Sequence, residues 1–318
     1  MKAPTKAQRL AILAALALPA ASFLLAQGPL TPPGAPTPTM KTLDQIEARR
    51  PVQSLAATAP YNITQPGSYY LTGNITVATG DAIVITSDDV SLDLNGFTIR
   101  STFTGGSTGA AVKVDGFRWR LTVRNGSIVS GTTVPASGPA AEAGFTNGIF
   151  ADGPFIGGSI YQALVSDVHV TGVGTAGILL NNQGVVERCT VSQCGHSGII
   201  AEDVQNCSAE FCRVHGISVT RNATNCSGNA RDGAGLECVN ASNCTGTSTN
   251  GPGLYCYGNA TNCTGTSTSG NAGMQVTGTA SFCRGSRVGG VAIIAANAIG
   301  CTVGSGTVDA PLKHLGTP

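Results

Sequence analysis

The chain has 318 residues, of which only 11% are charged and 5% aromatic, with 43 glycines and a formal net charge of +1. A charge this close to zero excludes a protein that binds nucleic acid over its whole surface, because such proteins need a strong basic excess. Low charge and abundant glycine indicate an elongated β protein with many turns rather than a helical one.

The N-terminal segment has the pattern of a secretory signal peptide. Lys2, Lys6 and Arg9 precede an apolar run at 10–25, and Ala26 ends it with a small residue. The run is short and rich in alanine, which favours cleavage over a membrane span, and a retained anchor is the alternative. We therefore predict a protein that is secreted or held at the cell surface.

Two further segments precede the repeats. Residues 27–40 are rich in proline and predict an extended linker. Within 41–60, Thr42 and Gln45 have the spacing of a helix capping box. The segment predicts a short capping helix that covers the open end of a solenoid, which would then occupy 61–318.

The first part of the solenoid has broad coils. Alternating strands at 90–94 and 121–124 are each followed by Asn-Gly, which supplies left-handed turn geometry. Two insertions, at 102–109 and 130–147, interrupt these coils. Insertions in solenoids often shape a binding groove, and a plain surface loop is the equally weighted alternative.

From about residue 164 the sequence repeats every 18–20 residues, as a ladder of cysteines shows: Cys189, Cys207, Cys226, Cys244, Cys263, Cys283 and Cys301. A Gly-apolar phrase such as Gly198-Ile199 keeps the same period, and an asparagine precedes several of the ladder cysteines. A short fixed period with strand-forming residues predicts one coil of short strands per repeat. The sequence therefore predicts an all-β solenoid of short strands with a short N-terminal capping helix.

Strand alternation directs the ladder cysteines inward, so we predict a buried column of mostly reduced thiols. The alternative is bonding between neighbouring coils, for example Cys194 with Cys212 or Cys238 with Cys256. We expect the asparagines at 206, 225, 243 and 262 to stack along one corner and to bond to one another.

The signal peptide, the helical cap, the phrase Val90-Ser91-Leu92-Asp93-Leu94-Asn95-Gly96 and the Gly-Ile coils together resemble exported right-handed parallel β-helix proteins of the pectin-lyase-like superfamily. The resemblance implies the fold, and it leaves the function open because lyases, hydrolases, epimerases and adhesins share this fold. The segment around His215 is similar to the histidine motif of polygalacturonases. It lacks the paired aspartates and the Arg-x-Lys motif of that family, so no catalytic subfamily is identified.

Strand alternation also divides the residues of the early coils between two faces. The apolar phase, which we expect in the core, comprises Phe117, Trp119, Leu121 and Val123. The outward phase of this and the following coils carries most of the charge: Arg118, Arg120, Arg124, Asp167, His169 and Arg188. Stacking of the coils is expected to gather the outward residues into one patch beside the longer insertion.

This patch supplies the candidate site residues. Arginine binds carboxylates through two parallel bonds, so Arg118, Arg120 and Arg124, together with Asp167, are candidate contacts for an acidic polysaccharide or a component of the cell envelope. His169, expected to be neutral near pH 7, is the candidate base, and Arg188 and Arg124 would neutralise a substrate carboxylate. The alternative is a solvated face with scattered ion pairs.

We therefore expect an exported β-helix protein of non-catalytic role that binds glycan or a protein partner at the cell surface or outside the cell. The alternative is a polysaccharide-active enzyme, a lyase or hydrolase of uronic-acid polymers. A more distant option is an ice-binding array, because Thr-x-Thr occurs at 245–247 and again at 264–266. The sequence predicts no cofactor, no metal site, no nucleic-acid partner and no stable membrane span once the signal is removed.

Overall fold

A computed structural model describes residues 48–151, 160–180 and 184–314. The predicted signal peptide, the linker and most of the predicted capping helix lie outside these residues. Apart from Ala48, the described residues belong to one compact unit, Arg49–Pro318. Within the described part of 41–60 the chain forms a single 3₁₀ turn, Val52–Ser54, whose Gln53 side chain bonds across the first coil to Gly73.

The strands are short, and together they form almost all of the regular structure. The first half of the chain contains β1 (Arg50–Pro51), β2 (Tyr61–Ile63), β3 (Gly67–Tyr70), β4 (Ile75–Val77), β5 (Ile83–Ile85), β6 (Val90–Asp93), β7 (Thr98–Ser101), β8 (Ala110–Val114), β9 (Arg118–Trp119), β10 (Thr122–Val129), β11 (Asn147–Phe150), β12 (Ile160–Tyr161), β13 (Ala163–Thr171) and β14 (Ile178–Leu179). The second half contains β15 (Gly184–Glu187), β16 (Thr190–Ser192), β17 (Ile199–Gln205), β18 (Ser208–Cys212), β19 (Ile217–Thr224), β20 (Ser227–Ala230), β21 (Leu236–Cys238), β22 (Asn240–Ser242), β23 (Thr245–Ser248), β24 (Leu254–Cys256), β25 (Ala260–Thr261), β26 (Thr264–Ser267), β27 (Ala272–Ser281), β28 (Arg284–Ile299), β29 (Thr302–Asp309) and β30 (Leu312–His314).

Each strand pairs in parallel with its equivalent one coil away, which makes the chain a parallel β-helix of about 12 coils and confirms the predicted fold class. The coils present three faces. Sheet A contains β3, β6, β15, β22 and β25 with the first parts of β10 and β13; sheet B contains β4, β7, β16, β18, β20, β23 and β26 with the second parts of β10 and β13; sheet C contains β2, β5, β8, β11, β14, β21 and β24. The longer strands β17, β19, β27 and β29 bend around a corner and belong to two sheets, and β28 bends around two corners and belongs to all three.

One left-handed residue per coil forms the corner between sheets A and B. These residues, all with φ between 50° and 60°, are Asn95, Asn125, Asp167, Arg188, Asn206, Asn225, Asn243, Asn262 and Phe282. The asparagines stack as predicted: the Asn225 amide donates to Asn206 Oδ1 at 3.1 Å, and the Asn243 amide donates to Asn225 Oδ1 at 3.2 Å. Asparagine tolerates the left-handed region better than other residues with a side chain, which explains the repeated choice.

A second asparagine column lies at the other end of sheet A. The Asn240 amide donates to Asn222 Oδ1 at 3.3 Å, and the Asn222 amide donates to Asp203 at 2.8 Å. Sequence reasoning missed this column, although the repeated Asn-Ala-Ser/Thr-Asn-Cys phrase contains both asparagines of each coil. The second column also satisfies backbone groups, because the main-chain N–H of Asn222 donates to Asp203 and that of Asn259 donates to the Asn240 side chain.

The core of the solenoid is apolar, and the cysteines are part of it. All eleven cysteines are buried free thiols, in agreement with the predicted reduced column. The alternative, a disulfide between neighbouring coils, does not form between Cys238 and Cys256, whose sulfur atoms are 3.2 Å apart and belong to free thiols. Complete burial raises the pKa of the Cys194 thiol, so it behaves as a small hydrophobic group rather than a nucleophile.

The prediction that Phe117 and Trp119 belong to the core is wrong. Their side chains are 49% and 44% exposed, whereas Leu121 and Val123 are buried as expected. Arg120 has a φ of 55°. A left-handed residue turns the chain, so the alternation that holds after Arg120 cannot be extended to the residues before it.

The two insertions fold against each other at the far end of sheet B. A parallel bridge joins Ser107 of the shorter insertion to Gly144 of the longer one, and an antiparallel bridge within the longer insertion joins Thr133 to Ala141. The longer insertion leaves sheet B at Ser130, whose amide donates to Thr171 of the next coil. The insertion therefore stands beside the outward face of sheet B.

Candidate ligand-binding face

The outward face of sheet B presents small polar side chains in straight rows. Parallel pairing places His169, Thr190, Ser208, Ser227, Thr245 and Thr264 one above another. A second row contains Asn229, Thr247 and Thr266 in register. Neighbouring coils lie about 4.8 Å apart, so hydrogen-bonding groups recur at that interval along the helix axis. The hydroxyl rows are longer than the two Thr-x-Thr coils that the sequence suggested.

A cavity on this face lies under the longer insertion. Its volume is about 480 Å³, and its lining is Val134, Pro135, Ala136, Gln193, Phe211, Cys212, Asn229, Ala230, Arg231 and Thr249. Phe211 is 56% exposed and has a φ of 53°, which is unusual for an aromatic residue. The cavity therefore combines an exposed ring and apolar walls with the amides of Gln193 and Asn229, the mixture typical of small-molecule sites.

Two further depressions lie on sheet B in the same coils as this cavity. One, of about 250 Å³, is lined by Thr171, Thr190, Ser192, Ser208 and Glu210 among others. The other, of about 540 Å³, follows the corner between sheets A and B over several coils, between the asparagine column and the hydroxyl row. We call the cavity and the two depressions together the sheet B groove.

Arg231 fixes the insertion that roofs the cavity. Its guanidinium donates to the carbonyl oxygens of Pro135 at 3.0 Å and Gly138 at 2.6 Å, and it binds both carboxylate oxygens of Asp232. The Gln193 side chain accepts a bond from the Val134 amide at 2.6 Å. Most donors of Arg231 are thus used by the protein itself, so Arg231 positions the cavity wall rather than offering a free positive charge.

The structure brings part of the predicted patch together at the corner between sheets A and B. Arg188 binds Asp167 through two bonds of 2.8 and 3.0 Å and contacts Glu187 at 2.9 Å. The bonds from Arg188 hold the pKa of Asp167 below its usual value, and Arg124 lies near enough to lower it further. Arg124 itself is paired at 3.2 Å with Asp93, a buried carboxylate.

His169 lies on the adjoining strand, at the start of the hydroxyl row. Its Nδ1 atom bonds to the Thr190 hydroxyl of the next coil. The side chain is exposed, as predicted, and faces the same side as the sheet B groove. His169 is therefore a neighbour of the Asp167–Arg188 pair, but the arginines of this corner already have carboxylate partners.

Arg118 and Arg120 lie apart from the corner patch, at the opposite end of sheet A. Arg120 binds both oxygens of Asp89 one coil below, with Arg120 Nη2 at 2.8 Å from Asp89 Oδ2. Asp89 and Arg120 both have left-handed backbone conformations, and they occupy equivalent corner positions in successive coils. The longer insertion contacts Gln193 and Arg231 at the far end of sheet B, so it stands beside neither group of arginines.

Sequence reasoning also missed a cluster around His215. The Nδ1 atom of His215 lies 3.4 Å from a carboxylate oxygen of Glu237, one coil above. The Tyr257 hydroxyl donates to the other oxygen of Glu237 at 2.8 Å, and this bond raises the pKa of Tyr257 to about 12. Only the coil register, which pairs Ser218 with Glu237 and Glu237 with Tyr255, could have indicated the cluster.

Among residues 48–151, 160–180 and 184–314, no group of His, Cys, Asp or Glu side chains is arranged to hold a metal ion. The same residues include no helix with the length and apolarity to cross a membrane.

Comparisons with known proteins add little to this picture. No protein-family model matches the sequence, and no curated protein matches it. Among solved structures, the A-module of a mannuronan C-5 epimerase from Azotobacter vinelandii is 12% identical with a TM-score of 0.44, over 78% of this chain and 89% of that chain. The Dettilon tailspike protein is 14% identical with a TM-score of 0.37, over 79% of this chain, which spans 59% of the tailspike chain. At these values neither similarity carries an activity across to this chain.

Proposed function

We propose that this chain is a non-catalytic β-helix protein that binds a glycan in the sheet B groove. The observation that carries the proposal is the cavity under the longer insertion, whose lining combines the exposed Phe211 ring, apolar residues of the insertion and the Asn229 side chain. A pyranose ring has an apolar face and a hydroxyl rim, and such a cavity offers an aromatic surface to the first and amide groups to the second.

The rows of hydroxyl and amide groups favour an extended polymer over a single sugar. They recur at about 4.8 Å along the axis, so successive sugars of a linear glycan would meet equivalent groups. The Asn229 side chain makes no hydrogen bond to the described part of the chain, which leaves its amide available to a ligand. Many weak contacts of this kind add up along a polymer.

Charge in the groove favours a neutral glycan segment. The nearby arginines at the corner are paired, Arg188 with Asp167 and Glu187, and Arg124 with Asp93. An acidic polymer would have to displace a carboxylate from each of them, whereas a neutral glycan leaves these pairs intact. In keeping with the predicted signal peptide at 1–26, we place this binding at the cell surface or outside the cell.

The second candidate is a polysaccharide lyase or hydrolase, with His169 as the base. His169 stands on the groove face next to the hydroxyl row, which is the observation that favours this candidate. Against it, the arginines that would neutralise a substrate carboxylate are engaged elsewhere.

One experiment separates the two candidates. The chain from Gln27 onward is incubated with neutral and acidic polysaccharides, and binding, unsaturated products and new reducing ends are followed in the same samples. Saturable binding of a neutral polysaccharide without new chain ends is the expected result. New chain ends that disappear in His169→Ala would instead establish the enzyme, and no binding to any polysaccharide would overturn both candidates.

A further inference from the structure

An aromatic stack stands on the protein surface away from the sheet B groove. Trp119 of β9 and Tyr161 of β12 are one coil apart, with ring centroids 4.3 Å from each other and planes inclined by 15°. Trp119 remains 44% exposed and Phe117, two residues before it, is 49% exposed. A contiguous exposed apolar surface with an aromatic stack is a feature typical of binding surfaces, in which tryptophan and tyrosine are enriched.

Arg118, which directly precedes Trp119 in β9, is an under-satisfied cation. Its Nε atom is buried and has no hydrogen-bond partner within the described chain, and its Nη1 atom donates only to the adjacent Phe117 carbonyl at 2.8 Å. Arg120, two residues on, is paired with Asp89 through two bonds. A buried donor without a partner is costly, so a ligand oxygen that drew the guanidinium of Arg118 into two parallel bonds would be favoured.

We propose that Trp119, Tyr161 and Arg118 form a second ligand site that binds a uronic acid residue of an acidic glycan. The exposed surface of Trp119 packs against the apolar face of the sugar ring, and Arg118 binds the carboxylate that the same ring carries. A flexible acidic peptide would satisfy Arg118 but not the aromatic surface, so a rigid acidic sugar fits both features better. This site is separate from the groove and does not depend on the function proposed for it.

The composition of the chain provides a direct readout, because Trp119 is its sole tryptophan. The full chain is titrated with oligogalacturonate, with a malto-oligosaccharide of equal length and with poly-glutamate, while the tryptophan emission is recorded. We expect a saturable change with oligogalacturonate alone. Arg118→Gln should weaken it by about tenfold to a hundredfold, the fold-change that corresponds to loss of charge-assisted bonds. Arg284→Gln, which removes an exposed arginine from a distant coil, is the matched control and should leave it unchanged.

Calorimetry with the same oligogalacturonate tests the aromatic contact without relying on emission. Trp119→Phe should retain most of the affinity, and Trp119→Ala should lose it. The proposal is overturned by the absence of a saturable response, by an equal response to the neutral sugar, or by an equal response to poly-glutamate. A response that Phe211→Ala abolishes would also overturn it, since it would then report the sheet B groove. If the groove binds no glycan while Trp119 still responds, the groove proposal alone fails.

Discussion

Replacing Arg231 with glutamine should release the insertion at 130–147 while the β-helix stays folded. Arg231 is only 12% exposed, and it links two carbonyls of the insertion, those of Pro135 and Gly138, to the coil that carries Asp232. No other described contact joins these two carbonyls to the solenoid through a charged donor. Glutamine is too short to reach both carbonyls and carries no charge, so both bonds are lost together.

The magnitude follows from the bonds removed. A hydrogen bond from a charged donor contributes about 1.5–3 kcal/mol, and two such bonds set an upper range of about 3–6 kcal/mol. Water can replace part of this at the insertion surface, and the partly exposed pair with Asp232 adds only about 0–1 kcal/mol. We therefore expect a loss of about 2–4 kcal/mol in the free energy that keeps the insertion closed, equivalent to roughly 30-fold to 1,000-fold.

Hydrogen exchange measures this loss at defined amides. The Thr133 and Ala141 amides bond to each other's carbonyls across the insertion, at 3.0 and 2.9 Å, and should exchange faster by the factor above in Arg231→Gln. Core amides should be unaffected, because the opening is local. Arg213→Gln is the control, since Arg213 also contacts Asp232 but makes no described bond to the insertion. Unchanged exchange at Thr133 in Arg231→Gln would refute the reasoning.

Three further predictions concern pH, the asparagine column and the thiols. The bonds from Arg231 lower the pKa of Asp232; the resulting stability is present above the usual aspartate value of about 4 and is lost as the pH falls through the lowered pKa. After correction for the pH dependence of intrinsic amide exchange, the exchange rate at Thr133 should stay constant down to about pH 5 and rise below it, as Asp232 is protonated. A rise that begins near neutral pH would show that Asp232 is not the group responsible. Asn225→Ala should lower the free energy of unfolding in urea by about 2–3 kcal/mol, because it breaks two bonds of the asparagine column and places alanine in the left-handed region. Asn225→Gly should lower it by about 0.5–1 kcal/mol less, because glycine adopts this conformation without strain. Equal losses in the two variants would rule out backbone strain as a cause. A thiol reagent should label none of the eleven cysteines in the folded chain and all of them after unfolding without reductant, and a shortfall would reveal disulfides.

The fold could be predicted from the sequence because its repeat is short and regular. The spacing of the ladder cysteines defines the coil length, and alternation around each cysteine defines the inward phase, so parallel pairing such as that of Cys238 with Cys256 follows directly. The same regularity makes the corner at Asn206 and Asn225 predictable, because asparagine recurs at that position in successive coils.

The site was harder to predict, because it depends on corners and insertions. The left-handed Arg120 reverses the alternation and places Trp119 outside, and no property of the arginine indicates that geometry. The path of the insertion is set by Arg231, which lies 96 residues beyond Pro135 in the sequence. Nearest-coil stacking could suggest that Arg188 meets Asp167, but whether an arginine is free or paired is decided by side-chain geometry.

Two phenylalanines provide the most direct test of glycan binding in the sheet B groove. Phe211 and Phe282 are both exposed, at 56% and 66%, and both are left-handed with a φ of 53°, but only Phe211 lines the cavity. The measurement is the dissociation constant of the neutral polysaccharide for the chain, for Phe211→Ala and for Phe282→Ala. We expect Phe211→Ala to weaken binding by about tenfold or more, as for loss of an aromatic contact, and Phe282→Ala to leave it unchanged. Equal affinities for the two variants would contradict the location of the site in this groove.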